Sequence, residues 1–267
     1  MTEAGTKEAA GFAPGTFCWV ELGTSDAAGA KEFYTKLFGW DYVDNPIGPD
    51  MVYTMLKRDG RDAGALYKLM PEMVSQGVPP HWLSYVSVEN ADQSAAKVTE
   101  LGGTVLKGPF DVSTVGRMAV IQDPTGAVFA LWQAGTHHGV GVYNVPGSLC
   151  WNELGTTDTG KAREFYTELF GWSANTQQFG PMEYTIFQNN GRPAGGMYQI
   201  TPEMGFPPNW LTYFAVDDCD EAVRRAESLG AKTMKPAEDI PGTGRFAILT
   251  DPQGAAFAVI KLDSPQA

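Results

Sequence analysis

The chain has 267 residues, 43% of them hydrophobic and 19% charged, with a net charge of −12 shared about equally by its two halves. The composition is that of an ordinary globular protein. The negative excess, with no basic cluster to offset it, excludes nucleic acid and anionic membranes as expected partners. Three cysteines make no disulfide framework and fit a reducing compartment. No segment is long and apolar enough to cross a membrane, and the opening stretch has no secretory-type apolar run, so the expected location is the cytoplasm.

Residues 1–14 are small and polar and read as a loose tail. Trp19, Glu21 and Gly23 then alternate with Cys18, Val20 and Leu22, as in a strand with two distinct faces. Asp26 is placed to cap a helix. Phe33, Tyr34, Leu37 and Phe38 form its apolar stripe, and Gly39 supplies the left-handed stop. Trp40, Tyr42 and Val43 open another strand. Met51–Leu56 and Ala63–Tyr67 follow as strands around the Asp59-Gly60 turn.

After a proline-rich loop over Pro71–Pro80, His81–Val88 reads as a strand and Asp92–Leu101 as a helix closed by Gly102-Gly103. A short strand begins at Val105. Met118–Gln122 and Ala127–Trp132 form a hairpin around Asp123-Pro-Thr-Gly126, with Asp, Pro and Gly where type I turns favour them. Residues 135–147 connect the halves, and the adjacent His137 and His138 read there as solvated.

The second half then repeats the first. Residues 17–40 and 149–172 are identical at 16 of 24 positions. Pro79-Pro-His-Trp-Leu83 is answered by Pro207-Pro-Asn-Trp-Leu211, Gly116-Arg117 by Gly244-Arg245, and the Asp123 turn by Asp251-Pro-Gln-Gly254. The predicted class is α+β, with four βαβββ modules at 16–70, 80–134, 148–200 and 208–262. They pair into domains at 15–134 and 148–262, each of roughly 130 residues and each expected to bury its own core.

The pattern ELxTxD…FYxxLFGW, a strand ending in V-x-(D/N), and DPxGxxFA resembles the vicinal oxygen chelate superfamily of glyoxalases, extradiol dioxygenases and bleomycin-resistance proteins. The resemblance implies two cupped sheets with helices outside and a ligand in each cup. It also implies metal ligands on the first and last strands of each module. The first-strand positions fall on Trp19, Leu83, Trp151 and Leu211. Counting four residues beyond Gly60, Gly126, Gly191 and Gly254 puts the last-strand positions at Gly64, Ala130, Gly195 and Ala258. None of these offers a side-chain donor, so neither a metal nor another cofactor is expected. His81 is a stray histidine whose repeat partner is Asn209.

Alternation places Trp19 with Glu21, Trp151 with Glu153, Leu83 with Tyr85, Leu211 with Tyr213, and Val128 and Ala130 with Trp132. With Tyr53 and Tyr184, whose faces alternation leaves open, and with Arg117 and Arg245, these residues would form aromatic-walled pockets holding a carboxylate. The alternatives are plain. The tryptophans plug the cups, the glutamates form structural pairs, and the arginines end hairpins. Cys18 and Cys150 are read as small buried residues on the helix-facing side.

Two functions are expected. One is binding of a small, aromatic or weakly polar metabolite in metal-free cups, by a monomer or weak homodimer. The other is a metal-independent glyoxalase-like isomerase or lyase with Glu21 or Glu153 as general base.

Overall fold

The computed structural model describes residues 11–49, 51–179 and 182–263. The first half runs β1 (Phe17–Thr24), α1 (Ala27–Phe38), β2 (Asp41–Gly48), β3 (Met51–Arg58), β4 (Arg61–Lys68), α2 (Pro71–Ser75), β5 (His81–Ser87), α3 (Ala91–Glu100), β6 (Thr104–Val112), β7 (Gly116–Gln122) and β8 (Val128–Ala134). The second half follows as β9 (Leu149–Thr156), α4 (Thr159–Phe170), β10 (Ser173–Phe179), β11 (Met182–Asn189), β12 (Arg192–Gln199), β13 (Asn209–Ala215), α5 (Cys219–Ser228), β14 (Lys232–Ile240), β15 (Gly244–Thr250) and β16 (Ala256–Leu262). A short 3-10 turn at Pro202–Met204 stands where the first half has α2.

The helix signals act as written. Asp26 accepts the Gly29 amide at 3.1 Å and Asp158 the Lys161 amide at 2.9 Å. Gly39 and Gly171 both end their helices at φ 70°, a conformation costly for a residue with a Cβ. Two departures from expectation are local. The proline-rich loop contains α2, and β6 is a nine-residue strand, not a short one.

Each half forms one eight-stranded mixed sheet, ordered β2-β3-β4-β1-β5-β8-β7-β6 and β10-β11-β12-β9-β13-β16-β15-β14. Module joins module through the central antiparallel pairs, β1 with β5 and β9 with β13.

The cores divide into two kinds, and those on the helix side cross between the halves. One helix-side core combines α1, Leu56 and Trp82 with Phe214, Leu249, Phe257 and α5; a second combines α3, Ile121 and Phe129 with α4, Phe187 and Trp210. First module packs on fourth and second on third, so the backs of the two sheets face one another. Between them Ser84 Oγ donates to Asn152 and lies 3.1 Å from Thr212 Oγ1. Only the concave-face cores, around Trp19 and Leu83 in one sheet and Leu211 and Tyr213 in the other, belong to a single half.

The turn aspartates lock this arrangement. Asp123 Oδ1 accepts the amides of Thr125, Gly126 and Ala127 at 2.7, 2.8 and 3.0 Å, while its Oδ2 accepts the Tyr166 hydroxyl of the other half at 2.8 Å. Asp251 Oδ2 accepts Tyr34 at 3.0 Å in the same way. Each tyrosine in turn accepts an indole N–H, Trp82 to Tyr34 at 2.9 Å and Trp210 to Tyr166 at 2.8 Å.

The halves should therefore unfold together. Tyr34→Phe strands the buried Asp251 carboxyl and the Trp82 indole, and should cost about 1–3 kcal/mol in urea denaturation. The wild-type chain should show a single cooperative transition. Two separable transitions would contradict the shared cores.

Candidate functional site

On each concave face a glutamate of the first strand is held between two tyrosines. In the first cup, Tyr85 donates to Glu21 Oε1 at 2.7 Å and Tyr53 to Oε2 at 2.8 Å, while Trp19 Nε1 donates to the Tyr53 hydroxyl at 3.1 Å. In the second, Tyr213 and Tyr184 donate to the two oxygens of Glu153 at 2.7 and 2.8 Å, and Trp151 donates to Tyr184 at 3.1 Å. Sheet register builds the set. Trp19 lies opposite Tyr85 and Glu21 opposite Leu83 across β1–β5, and β9–β13 repeats the pairing with Trp151, Tyr213, Glu153 and Leu211. Gly196 lies beside Glu153, and the Tyr184 hydroxyl occupies the space that a Cβ there would fill; in the first cup Ala65 stands beside Glu21 and Tyr53 reaches the carboxylate at the same 2.8 Å.

Burial pushes both carboxyls up from the ordinary 4.5, and the tyrosine hydrogen bonds pull against it. Lys235 adds a further downward pull on Glu153 alone. The four tyrosines are held well above the usual phenol range by burial and by the adjoining carboxylates, so they remain donors. Each cup thus holds a buried carboxyl framed by fixed hydroxyls and aromatic faces.

Of the residues expected in the pockets, Trp19, Tyr53, Leu83, Tyr85 and Trp132 meet on the first concave face and Trp151, Leu211 and Tyr213 on the second, with Tyr184 joined through Glu153. Arg117 and Arg245 do not join them. Each lies on the opposite face of its strand, where Arg117 binds Asp92 in bidentate fashion and Asp111 at 2.8 Å, and Arg245 does the same with Asp220 and with Asp239 at 3.0 Å. A surface cavity of about 570 Å³ opens beside Arg245, lined by Asp220, Arg224, Glu227 and Thr233. It is remote from both glutamates, and its guanidinium is already fully paired.

Two sets of β-bulges explain the other corrections. Ala63 and Ala194 are extra residues in β4 and β12, so a count from the turn glycine slips by one. Gly64 and Gly195 face the helix-side core, towards Trp82 and Trp210, and the cup-facing residues are Ala65 and Gly196. Cys18 and Cys150 are bulge residues of β1 and β9 that turn into the cup cores, where their thiols bond Tyr85 O and Tyr213 O. They are buried as expected, and burial drives both thiols far above the reactive range.

Four further residues escaped the sequence reading. Tyr67 and Tyr198 stand within electrostatic reach of Glu21 and Glu153; alternation from Ala65 and Gly196 would have found them. Lys235 and His137 carried no such signal. His137 is not solvated: its ring meets Trp19 edge-on at 4.5 Å. His81 is half-buried like His137, with Nδ1 2.8 Å from Pro79 O.

The donor set does not fit a metal. Ala65, Ala130, Gly196 and Ala258 have no donor atom, and each glutamate has both oxygens engaged by tyrosine. Among the described residues no group of three or more His, Cys, Asp or Glu could hold an ion, and no helix is long and apolar enough to cross a membrane.

Residues 16–131 and 148–259 each match the Glyoxalase/Bleomycin resistance protein/Dioxygenase superfamily, and the chain belongs to it. It is 40% identical over 252 residues to "Putative glyoxylase CFP32" of Mycobacterium tuberculosis, covering 94% of this chain and 96% of the relative. It is 36% identical over 263 residues to "Anthracycline biosynthesis protein DnrV" of Streptomyces peucetius, covering 94% of each. Its fold is similar to that of the Mn(II)-bound glyoxalase from Novosphingobium aromaticivorans, with a TM-score of 0.65 at 16% identity over 95% of this chain and 86% of that one. The 2,3-dioxygenase LapB from Pseudomonas sp. KL28 aligns with a TM-score of 0.63 at 11% identity over 94% and 93%.

Tyrosine donation favours the ionised carboxyl, so Tyr213→Phe should move the Glu153 titration to still higher pH in carboxyl-selective carbon-13 NMR; a midpoint unchanged or lowered would break the network. Stability has the matching sign. A carboxyl raised on folding favours the fold most below its unfolded value of about 4.5, and that contribution is lost as pH rises through the folded value. Glu153→Gln should therefore gain stability relative to wild type as pH rises above about 4.5, the gain levelling off once the wild-type carboxyl is ionised in the fold.

Proposed function

We propose that the protein is a metal-independent small-molecule binder, a cytoplasmic monomer or weak dimer, that takes an aromatic or weakly polar metabolite into its cups. The observation that carries this reading is the Trp–Tyr–Glu–Tyr network on the concave face of both sheets. It gathers hydrogen-bonding groups among aromatic walls in the cups where the family resemblance implies a ligand, and each carboxyl has both oxygens engaged by tyrosine. Fixed polar groups on an apolar wall orient a flat ligand without covalent chemistry. The relative named for anthracycline biosynthesis supports an aromatic ligand.

A second reading rests on one feature. A buried carboxyl with a raised pKa beside bound hydroxyls is equipped to take a proton from a carbon acid. That would make the protein a glyoxalase-like isomerase or lyase with Glu21 or Glu153 as base, in keeping with the relative named as a glyoxylase.

Plasma mass spectrometry of untagged protein, purified without chelators from metal-supplemented cells, should find well below one metal ion per chain. One or two tightly held ions would overturn the metal-independent reading. Thermal-shift screening with anthracycline-type tetracycles, simple phenols and α-oxoaldehydes should identify a ligand class. With a ligand in hand, Glu21→Gln and Glu153→Gln should retain most affinity for a neutral ligand. A loss of turnover of about 10²–10⁴-fold would instead establish the acid–base reading.

A further inference from the structure

The two cups are copies in sequence but not in access. Over the first, the connection between the halves folds back as a strap. The Val140 amide bonds Cys18 O at 2.8 Å, the Gly141 amide bonds Asp62 O at 2.7 Å, and Trp132 Nε1 bonds His137 O at 3.0 Å. The His137 ring covers Trp19, and Val140 and Phe12 join the same core. Beneath the strap Trp19 is 5% exposed and Glu21 8%. In the second cup Trp151 and Glu153 are both half-buried, and no described ring packs on Trp151.

Side-chain volume differs in the same direction. Matching the strand registers places Ile260 where the first cup has Trp132, and Gly196 where it has Ala65. The charge differs as well. Lys235 Nζ lies 5.5 Å over the Phe246 ring, which neighbours Tyr213 at 6.2 Å, and its charge acts on Glu153. In the first cup Met118 stands in place of Phe246. The matching Lys107 lies over Phe110 instead, and burial and the two tyrosines, not a lysine, set the Glu21 environment among the described residues. Among the described residues, the ion pair that holds Lys235 is a half-exposed one with Glu238 at 3.0 Å, which a ligand can displace at little cost.

We propose that the second cup alone is the ligand site, that the first is filled by the chain's own strap and serves as framework, and that the ligand is an aromatic molecule bearing a single anionic oxygen group received by Lys235. This rests on the small-molecule-binding reading above and narrows it to one cup and one ligand chemistry.

Two probes sharing one ring system separate the terms: 8-anilinonaphthalene-1-sulfonate, an aromatic monoanion, and the neutral N-phenyl-1-naphthylamine. The full chain is labelled with 5-fluorotryptophan, and the Trp19 and Trp151 fluorine resonances are assigned by Trp19→Phe and Trp151→Phe. The anionic probe should bind once per chain and shift the Trp151 resonance while leaving Trp19 unmoved. Lys235→Ala should weaken the anionic probe about tenfold, leave the neutral one within about twofold, and have no counterpart in Lys107→Ala. Movement of Trp19, two bound probes per chain, or equal loss of both probes in Lys235→Ala would overturn the inference while leaving cup binding intact. Saturable probe fluorescence with neither resonance moving would instead defeat the binding reading itself.

Discussion

The structure depends on a buried carboxylate that serves two chain segments at once. One oxygen of Asp123 gathers the amides of its own turn; the other receives Tyr166 from the opposite half. Asp251 does the same with its own turn and Tyr34. A carboxyl in such a position is costly unless every lone pair is engaged. The turn conformation, the helix carrying the tyrosine and the indole behind it must therefore form together. This is why the helix-side cores cross between the halves, and why two sequence repeats make one interlocked body.

That constraint leaves the concave faces comparatively free. The shared cores fix the position and register of β1, β5, β9 and β13, and register alone brings Trp, Tyr and Glu together in both cups. With its backing rigid, each cup can exchange a tryptophan for an isoleucine or accept a strap without disturbing the fold. The differences between the cups fall where the interlock does not reach: at Trp132 and Ile260, at Met118 and Phe246, and in the connection carrying His137.

The legible features of the sequence were those whose signal is local or repeated. Asp26, Gly39 and the DPxG turns declare themselves through capping and turn chemistry, and the duplication fixes the order of elements before any strand is placed. Alternation brought Glu21 to Trp19 and Leu83 to Tyr85 correctly. It fails wherever a bulge inserts a residue: the bulges turn Gly64 and Gly195 to the helix side and Cys18 and Cys150 into the cups, and they hide the place of Tyr67 and Tyr198. No local pattern marks such bulges. Nor could spacing reveal that Tyr34 seeks Asp251 across 217 residues, that α1 buries its stripe against the fourth module, or that Arg117 has two aspartates waiting on the helix side.

His137 shows what such a gap hides. An adjacent histidine pair in a glycine-rich connection has every compositional mark of a solvated linker, yet one ring lies against Trp19 with Nε2 buried and without a hydrogen-bond partner, 3.9 Å from Asp62. Burial holds this imidazole towards its neutral form, against the opposing pull of Asp62. An unsatisfied nitrogen is a cost, and the strap bears it because indole contact and three backbone-directed hydrogen bonds fix the segment. The glycines that made the segment look loose are what allow this approach: a Cβ at Gly139 would collide with the Cys18 carbonyl and the Phe12 ring. Glycine here permits close packing over an apolar surface. The connection between the halves is thus part of the first cup's wall, and the sequence asymmetry of the two repeats becomes an asymmetry in how far each cup is covered.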